Sequence, residues 1–177
     1  MSHLHYPSVT EYRLPKKNIL VISCIDLRLI DEVLNFLHFD NLTNRYDNFA
    51  LAGTSVAMGA TRPEHRPLFN EQALADFDSF QHWEKTLYNH IDIAIKLHSI
   101  GDVYIIEHED CGAYREFLKN GNFENIEDEI NCHKKFAIAL SEDIRIKHQY
   151  KLNVHCFMID IRGNVKLLHT ARSSADE

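Results

Sequence analysis

The sequence predicts an α/β fold: a mostly parallel central sheet flanked by helices, ending in a C-terminal hairpin strand. Two observations carry this. The short apolar runs "NILVIS" (18–23) and "DVYIIEH" (102–108) suit strands buried on both faces. Segments with helical spacing separate them, and strands that alternate with helices pair in parallel through right-handed crossovers. The closing stretch "HCFMIDIRGNVKLLH" (155–169) adds a strand, a Gly-Asn turn and a second strand.

Each element follows in order. Residues 1–17 are polar, contain Pro7 and Pro15, and read as an arm laid over the surface or over a partner chain. After the first strand, "LIDEVLNFLHF" (29–39) places Ile30, Val33, Leu34 and Leu37 on one helical face. "NFALAG" (48–53) is a second strand ending at Gly53. "TSVAMGATRPEHRP" after it has no period and reads as a mobile or functional loop. Residues 71–99 are helical with a break expected near Gln81. Leu87, Ile91, Ala94 and His98 form the stripe, and Gly101 is the stop. Ile126, Ile130, Ala137, Leu140 and Ile144 mark a long helix with acids early and bases late, as the helix dipole prefers. The expected division is an arm (1–17), a single α/β domain (18–170) and a polar tail (171–177).

Composition narrows the class of partner. With 177 residues, 45% of them hydrophobic, one core of ordinary size can form. A formal charge of -7 without any basic run argues against nucleic acid or an anionic membrane as partner. The absence of an apolar span or export signal sets the expectation of a soluble cytoplasmic protein. In that setting the four cysteines (24, 111, 132, 156) read as thiols or metal ligands rather than disulfides.

The chemistry gathers at two strand ends. "CIDLR" (24–28) leaves the first strand with a thiol, a carboxylate and a guanidinium, and "HEDCG" (108–112) leaves the third with an imidazole and a thiol. In parallel sheets ligands bind at the carboxyl ends of the strands. Two thiolates and one imidazole, from Cys24, Cys111 and His108, form a zinc set that keeps a fourth position open, the mark of a catalytic site. Gly112 is expected to relieve the turn. Each part also has a plain structural reading. A buried cysteine is usually a small hydrophobe, Asp110 could cap a helix, and Asp26 with Arg28 could be a simple ion pair. Cys132 and Cys156 read as core or surface thiols and His98 and His133 as helix residues. His38 and His82 stand as proton carriers that no spacing favours, and His3, His5 and His65 as solvent-exposed.

"CIDLR" and "HEDCG" together resemble the Cys-x-Asp-x-Arg and His-x-x-Cys-Gly motifs of the β-class carbonic anhydrases. The likeness covers roughly residues 18–168. It implies one zinc per chain on Cys24, His108 and Cys111, with Asp26 and Arg28 as a catalytic dyad beside it and Gly53 and Gly112 in the substrate pocket. The implied enzyme is a zinc lyase for the reversible hydration of carbon dioxide to bicarbonate by zinc-bound hydroxide, assembled as a homodimer or larger homo-oligomer. In some members the aspartate itself takes the fourth metal position. The segment 50–55 keeps the family's Ala-Gly but lacks its amides, and no glutamine precedes Cys24. That lining leaves two alternatives: a zinc hydrolase of carbonyl sulfide or carbon disulfide, or a catalytically silent zinc-binding homologue. A thiol redox protein is disfavoured because no Cys-x-x-Cys occurs.

Overall fold

The computed structural model describes residues 4–175. Its centre is a five-stranded sheet in the order β2-β1-β3-β4-β5. β1 (Ile19–Ser23) runs parallel to β2 (Tyr46–Ala50) on one side and to β3 (Asp102–His108) on the other. β4 (Asn153–Ile159) continues the parallel pairing, and β5 (Val165–Ala171) turns back antiparallel to it. The expected fold class is the one observed.

Strand alternation sorts the core into two layers. Leu20, Ile22, Val103, Ile105, Val154 and Cys156 pack under α4 (Phe77–His98) and α6 (Ile126–Lys147), joined by Leu87, Ile91, Phe136 and Leu140. Ile19, Val21, Tyr104, Ile106 and Phe157 pack against α1 (Ile30–Phe39) through Phe36 and Leu37. The arm belongs to this second layer. Its Tyr12 is buried and donates to both oxygens of buried Asp40, at 2.6 and 2.7 Å, and Tyr104 adds a third hydroxyl contact at 2.7 Å.

Several expectations shift. β2 starts at Tyr46 and ends at Ala50, with Gly53 beyond it in a left-handed turn. The segment 54–67 is not loop throughout: Thr54 to Ala60 are buried and include α2 (Val56–Gly59), too short to display a period. Its small residues permit close packing: a Cβ on Gly59 would stand 2.4 Å from the Phe136 ring. The break in the next helical region falls at Asp76, between α3 (Glu71–Ala75) and α4, rather than near Gln81. Left-handed Ser99 ends α4 before Gly101 is reached. α5 (Gly112–Phe117) is the helix that the reading of Asp110 as a cap allowed for.

Ile30 is exposed and Val33 and Leu34 are half-buried, so the α1 stripe lines an open cleft, and only its Leu37 is fully in the core, with Val33 packed against it. His65 is buried, its ring edge-on to Phe136, whereas His5 is exposed as expected. His3 lies outside the described residues. Among those described, no helix is long and apolar enough to cross a membrane.

Candidate metal centre

β1 and β3 are adjacent and parallel, so the residues that leave them emerge side by side. Cys24 follows the last residue of β1, His108 is the last residue of β3, and Cys111 stands at the N-cap of α5. One ligand atom from each falls within 4.8 Å of the others. The turn that returns Cys111 to the site is made by Asp110 at φ 56°, not by Gly112, whose backbone is not left-handed and whose Cα has open space around it. Asp110 does not cap α5 either; its carboxylate receives Arg28 Nη1 at 2.8 Å and Arg115.

The imidazole is set up for a metal. His108 Nδ1 donates to the Glu109 carbonyl at 2.8 Å, which fixes the tautomer and leaves Nε2 with its lone pair. Nε2 is buried and has no hydrogen-bond partner among the described residues. A buried acceptor without a donor is costly. It faces two thiols, and an open-sited zinc on those three atoms would satisfy it. The donor set fits.

Burial and their mutual contact set the two thiols apart electrostatically. The Cys24 thiol is pulled well below its ordinary value by its contact with Cys111, against its own burial, with help from His108 and the Gly53 N–H at 3.3 Å. Cys111 is pushed up by the same contact and by burial. For His108, burial lowers the pKa, but the Cys24 contact and charge outweigh it and the net direction is upward.

Asp26 stands beside this group, with Oδ2 3.9 Å from His108 Nε2. Arg28 holds it twice, Nε to Oδ1 at 3.0 Å and Nη2 to Oδ2 at 2.7 Å, and also donates its own backbone N–H to Oδ1 at 3.0 Å. The guanidinium lowers the carboxyl from its ordinary 3.8 to about 2. The cleft at this place has a volume of about 500 Å³. Cys24, Asp26 and His108 line it on one side and Ile30, Val33 and Leu34 on another. Neither Gly53 nor Gly112 lines it. Gly53 instead supplies the N–H on the Cys24 sulfur. Its φ is +75°, and a Cβ there would stand 2.5 Å from Val56 and 2.8 Å from Ala113, which leaves room only for glycine. His38 and His82 are exposed and outside the cleft.

Behind the metal group lies a polar cluster that no motif announces. Glu107, next to His108 but on the opposite face of β3, is 1% exposed. It accepts from the Ser55 N–H at 3.1 Å, the Ser55 hydroxyl, the Tyr114 hydroxyl at 3.1 Å and His133 Nδ1 at 2.8 Å. These donors sit just before α2, in α5 and in α6, so one carboxylate ties three helical segments to the strand that carries His108. Glu129 extends the tie, accepting the Asp110 N–H at 2.7 Å. The available signal is an acid inside the apolar run "DVYIIEH", since buried acids are rare unless partnered.

No protein-family model matches the chain. Uncharacterized proteins of Rickettsia bellii and Rickettsia conorii are each 28% identical over 150 residues, covering 85% of this chain and 80% and 71% of their own lengths. Among solved structures, the β-carbonic anhydrase CafD of Aspergillus fumigatus superposes with a TM-score of 0.55 at 11% identity, covering 92% of this chain and 95% of that one. The chain has the β-carbonic anhydrase fold. A mutant of the same fungal protein gives a TM-score of 0.53 over 93% of this chain and 98% of its own.

Proposed function

We propose that the protein is a zinc-dependent carbonic anhydrase of the β class, hydrating carbon dioxide reversibly to bicarbonate with one zinc per chain. The observation that carries the reading is the partnerless His108 Nε2, buried, among two thiols and 3.9 Å from Asp26. Cys24, His108 and Cys111 would hold the metal. When bound, zinc supplies the acidity that turns water into a nucleophile near neutral pH.

The chain's own groups do the rest. Arg28 keeps Asp26 ionised and aimed, and Asp110 holds Arg28 in turn, at 2.8 Å to Nη1 and through its carbonyl at 3.0 Å to Nη2. Oδ1 of Asp26 already accepts two N–H groups, so Oδ2, which takes Nη2 at 2.7 Å, is the oxygen with capacity left for a proton donor in the cleft. This firm seating favours Asp26 as the positioning acceptor rather than a fourth metal ligand. The apolar α1 wall excludes water and admits a small neutral substrate. Carbonyl sulfide or carbon disulfide suits the same wall, which keeps the alternative hydrolase within the test.

Exposed Ile25 and Ile30 line the cleft and Leu27, close to them in sequence, is exposed too, an apolar surface that a second copy of the chain would cover, in keeping with a homo-oligomer. Reduced thiols at the metal group suit a reducing compartment, which we take to be the cytoplasm.

Metal analysis and stopped-flow hydration test the reading together. The purified protein should carry about one zinc. Cys24→Ser should weaken zinc binding by more than about a hundredfold, since even an outer partner of a ligand contributes ten- to a hundredfold. Cys132→Ser should keep full zinc. Turnover of carbon dioxide by the zinc-loaded protein, lost in Asp26→Asn, is the expected outcome. Full zinc in Cys24→Ser would remove the site. Turnover of carbonyl sulfide with none of carbon dioxide would select the hydrolase, and silence with both would leave a zinc-binding protein without turnover.

A further inference from the structure

The opposite end of the sheet holds a second cavity with different chemistry. Its volume is about 280 Å³, and it opens where β3 and β4 begin, lined by Asp102 and Asn153. Asp102 and His108 are the two ends of β3, so at about 3.3 Å per residue the cavity lies roughly 20 Å from the metal group.

Bases from three separate parts of the chain converge on it. Arg13, Lys16 and Lys17 come from the arm, Lys151 precedes β4, and Arg172 follows β5. Arg13, Lys16 and Lys17 stand within five residues of one another, and the fold brings Lys151 and Arg172 to them. Among the described residues, Lys16, Lys17, Lys151 and Arg172 have no carboxylate within ion-pair reach. The single acid in the lining among the described residues, Asp102, is buried and sits 3.4 Å from His155 Nε2.

Like charges gathered around one concavity repel, and in a protein of formal charge -7 such a gathering runs against the overall balance. An anion in the cavity would remove that repulsion and bring lysine point charges and a guanidinium fork to bear on its oxygens. We propose that this cavity is a binding site for a small multivalent oxyanion of the phosphate or carboxylate kind, separate from the metal centre. The volume accommodates a diphosphate-sized group and excludes a polymer. The anionic oxygens could come from a free solute or from the chain itself, since Asp176 and Glu177 follow Ala175, which lines the cavity.

Calorimetric titration with pyrophosphate, against sodium chloride matched in ionic strength, tests the site. Four proteins are compared: the native chain, Asp176→Asn with Glu177→Gln, Lys16→Ala with Lys151→Ala, and Lys135→Ala on an exposed turn of α6 as a control. The three lysines replaced are all exposed, so the fold should survive each change, which circular dichroism checks. Saturable binding is expected, weakened about tenfold in Lys16→Ala with Lys151→Ala and unchanged in Lys135→Ala, as the loss of two solvent-exposed charge contacts implies. Binding that is stronger in the tail variant identifies the chain's own carboxylates as the competing anion; equal binding in both identifies a free solute. Heats that follow ionic strength alone, silence in both the native and tail-variant proteins, or equal affinity after Lys16→Ala with Lys151→Ala would overturn the proposal. None of these readouts depends on zinc.

Discussion

Asp26 and Glu107 are two carboxylates beside the metal group, and they are held in opposite ways. Asp26 opens on the cleft and is gripped by one guanidinium that is itself 42% exposed. Glu107 is sealed inside and shared among four donors from three segments. An exposed ion pair contributes about 0 to 1 kcal/mol, whereas uncovering buried donors by removing their common charged acceptor costs about 3 to 5 kcal/mol. The front carboxylate is therefore free to serve chemistry, and the rear one belongs to architecture.

The largest effect expected from this contrast is on the rear side. Glu107→Leu leaves His133 Nδ1, the Tyr114 hydroxyl and both Ser55 donors without their acceptor. It should lower stability by about 3 to 5 kcal/mol in urea unfolding, a large share of what a domain of this size has. A midpoint within error of the native protein would show that the cluster holds nothing together.

Gly53→Ala comes next. It forces a side chain into the left-handed region and against Val56 and Ala113, so a loss of about 2 to 4 kcal/mol is expected from backbone strain and overpacking combined. Zinc affinity should fall with it, because the Gly53 N–H on Cys24 Sγ moves. An unchanged melting temperature would mean that the turn relaxes freely.

On the front side the sign of the comparison reverses. Arg28→Ala should leave stability within about 1 kcal/mol and keep zinc bound, yet reduce turnover about ten- to a hundredfold, the size of effect that outer partners of metal sites show. Stability and activity measured on the same sample separate the two roles; full activity would detach Arg28 from Asp26's task. The smallest effect is assigned to Gly112→Ala, about 0.5 kcal/mol or less, since a Cβ there meets nothing and the backbone is ordinary. A large loss would restore Gly112 to the role in the turn or pocket that the sequence pattern suggests.

The same division explains what can be read from the chain. Cys24, Asp26 and Arg28 share five residues, and His108 with Cys111 share four, so spacing alone exposes them once the strands are recognised. The strands are plain because continuous apolar runs have few other uses in so short a form. Glu107's partners at 55, 114 and 133 are distant in sequence and become neighbours only when α2, α5 and α6 dock, so no local pattern can report them. α2 escapes for a related reason: Ala57, Met58 and Gly59 suit close approach to neighbouring helices and show no period. Gly112 draws the eye as the turn residue, but Asp can also occupy the left-handed region, and Asp110 does so.

The pairing of β1 with β3 also governs the order of events during folding. Ile19 meets Asp102 across nearly half the chain, so this contact closes a long loop and rewards the chain only late. His108 and Cys111 travel together, but Cys24 arrives only when that closure is made. The complete ligand set therefore exists after the slow step and not before it. A metal bound there should act as a latch on the finished sheet, lengthening the lifetime of the folded state while leaving the speed of refolding almost untouched.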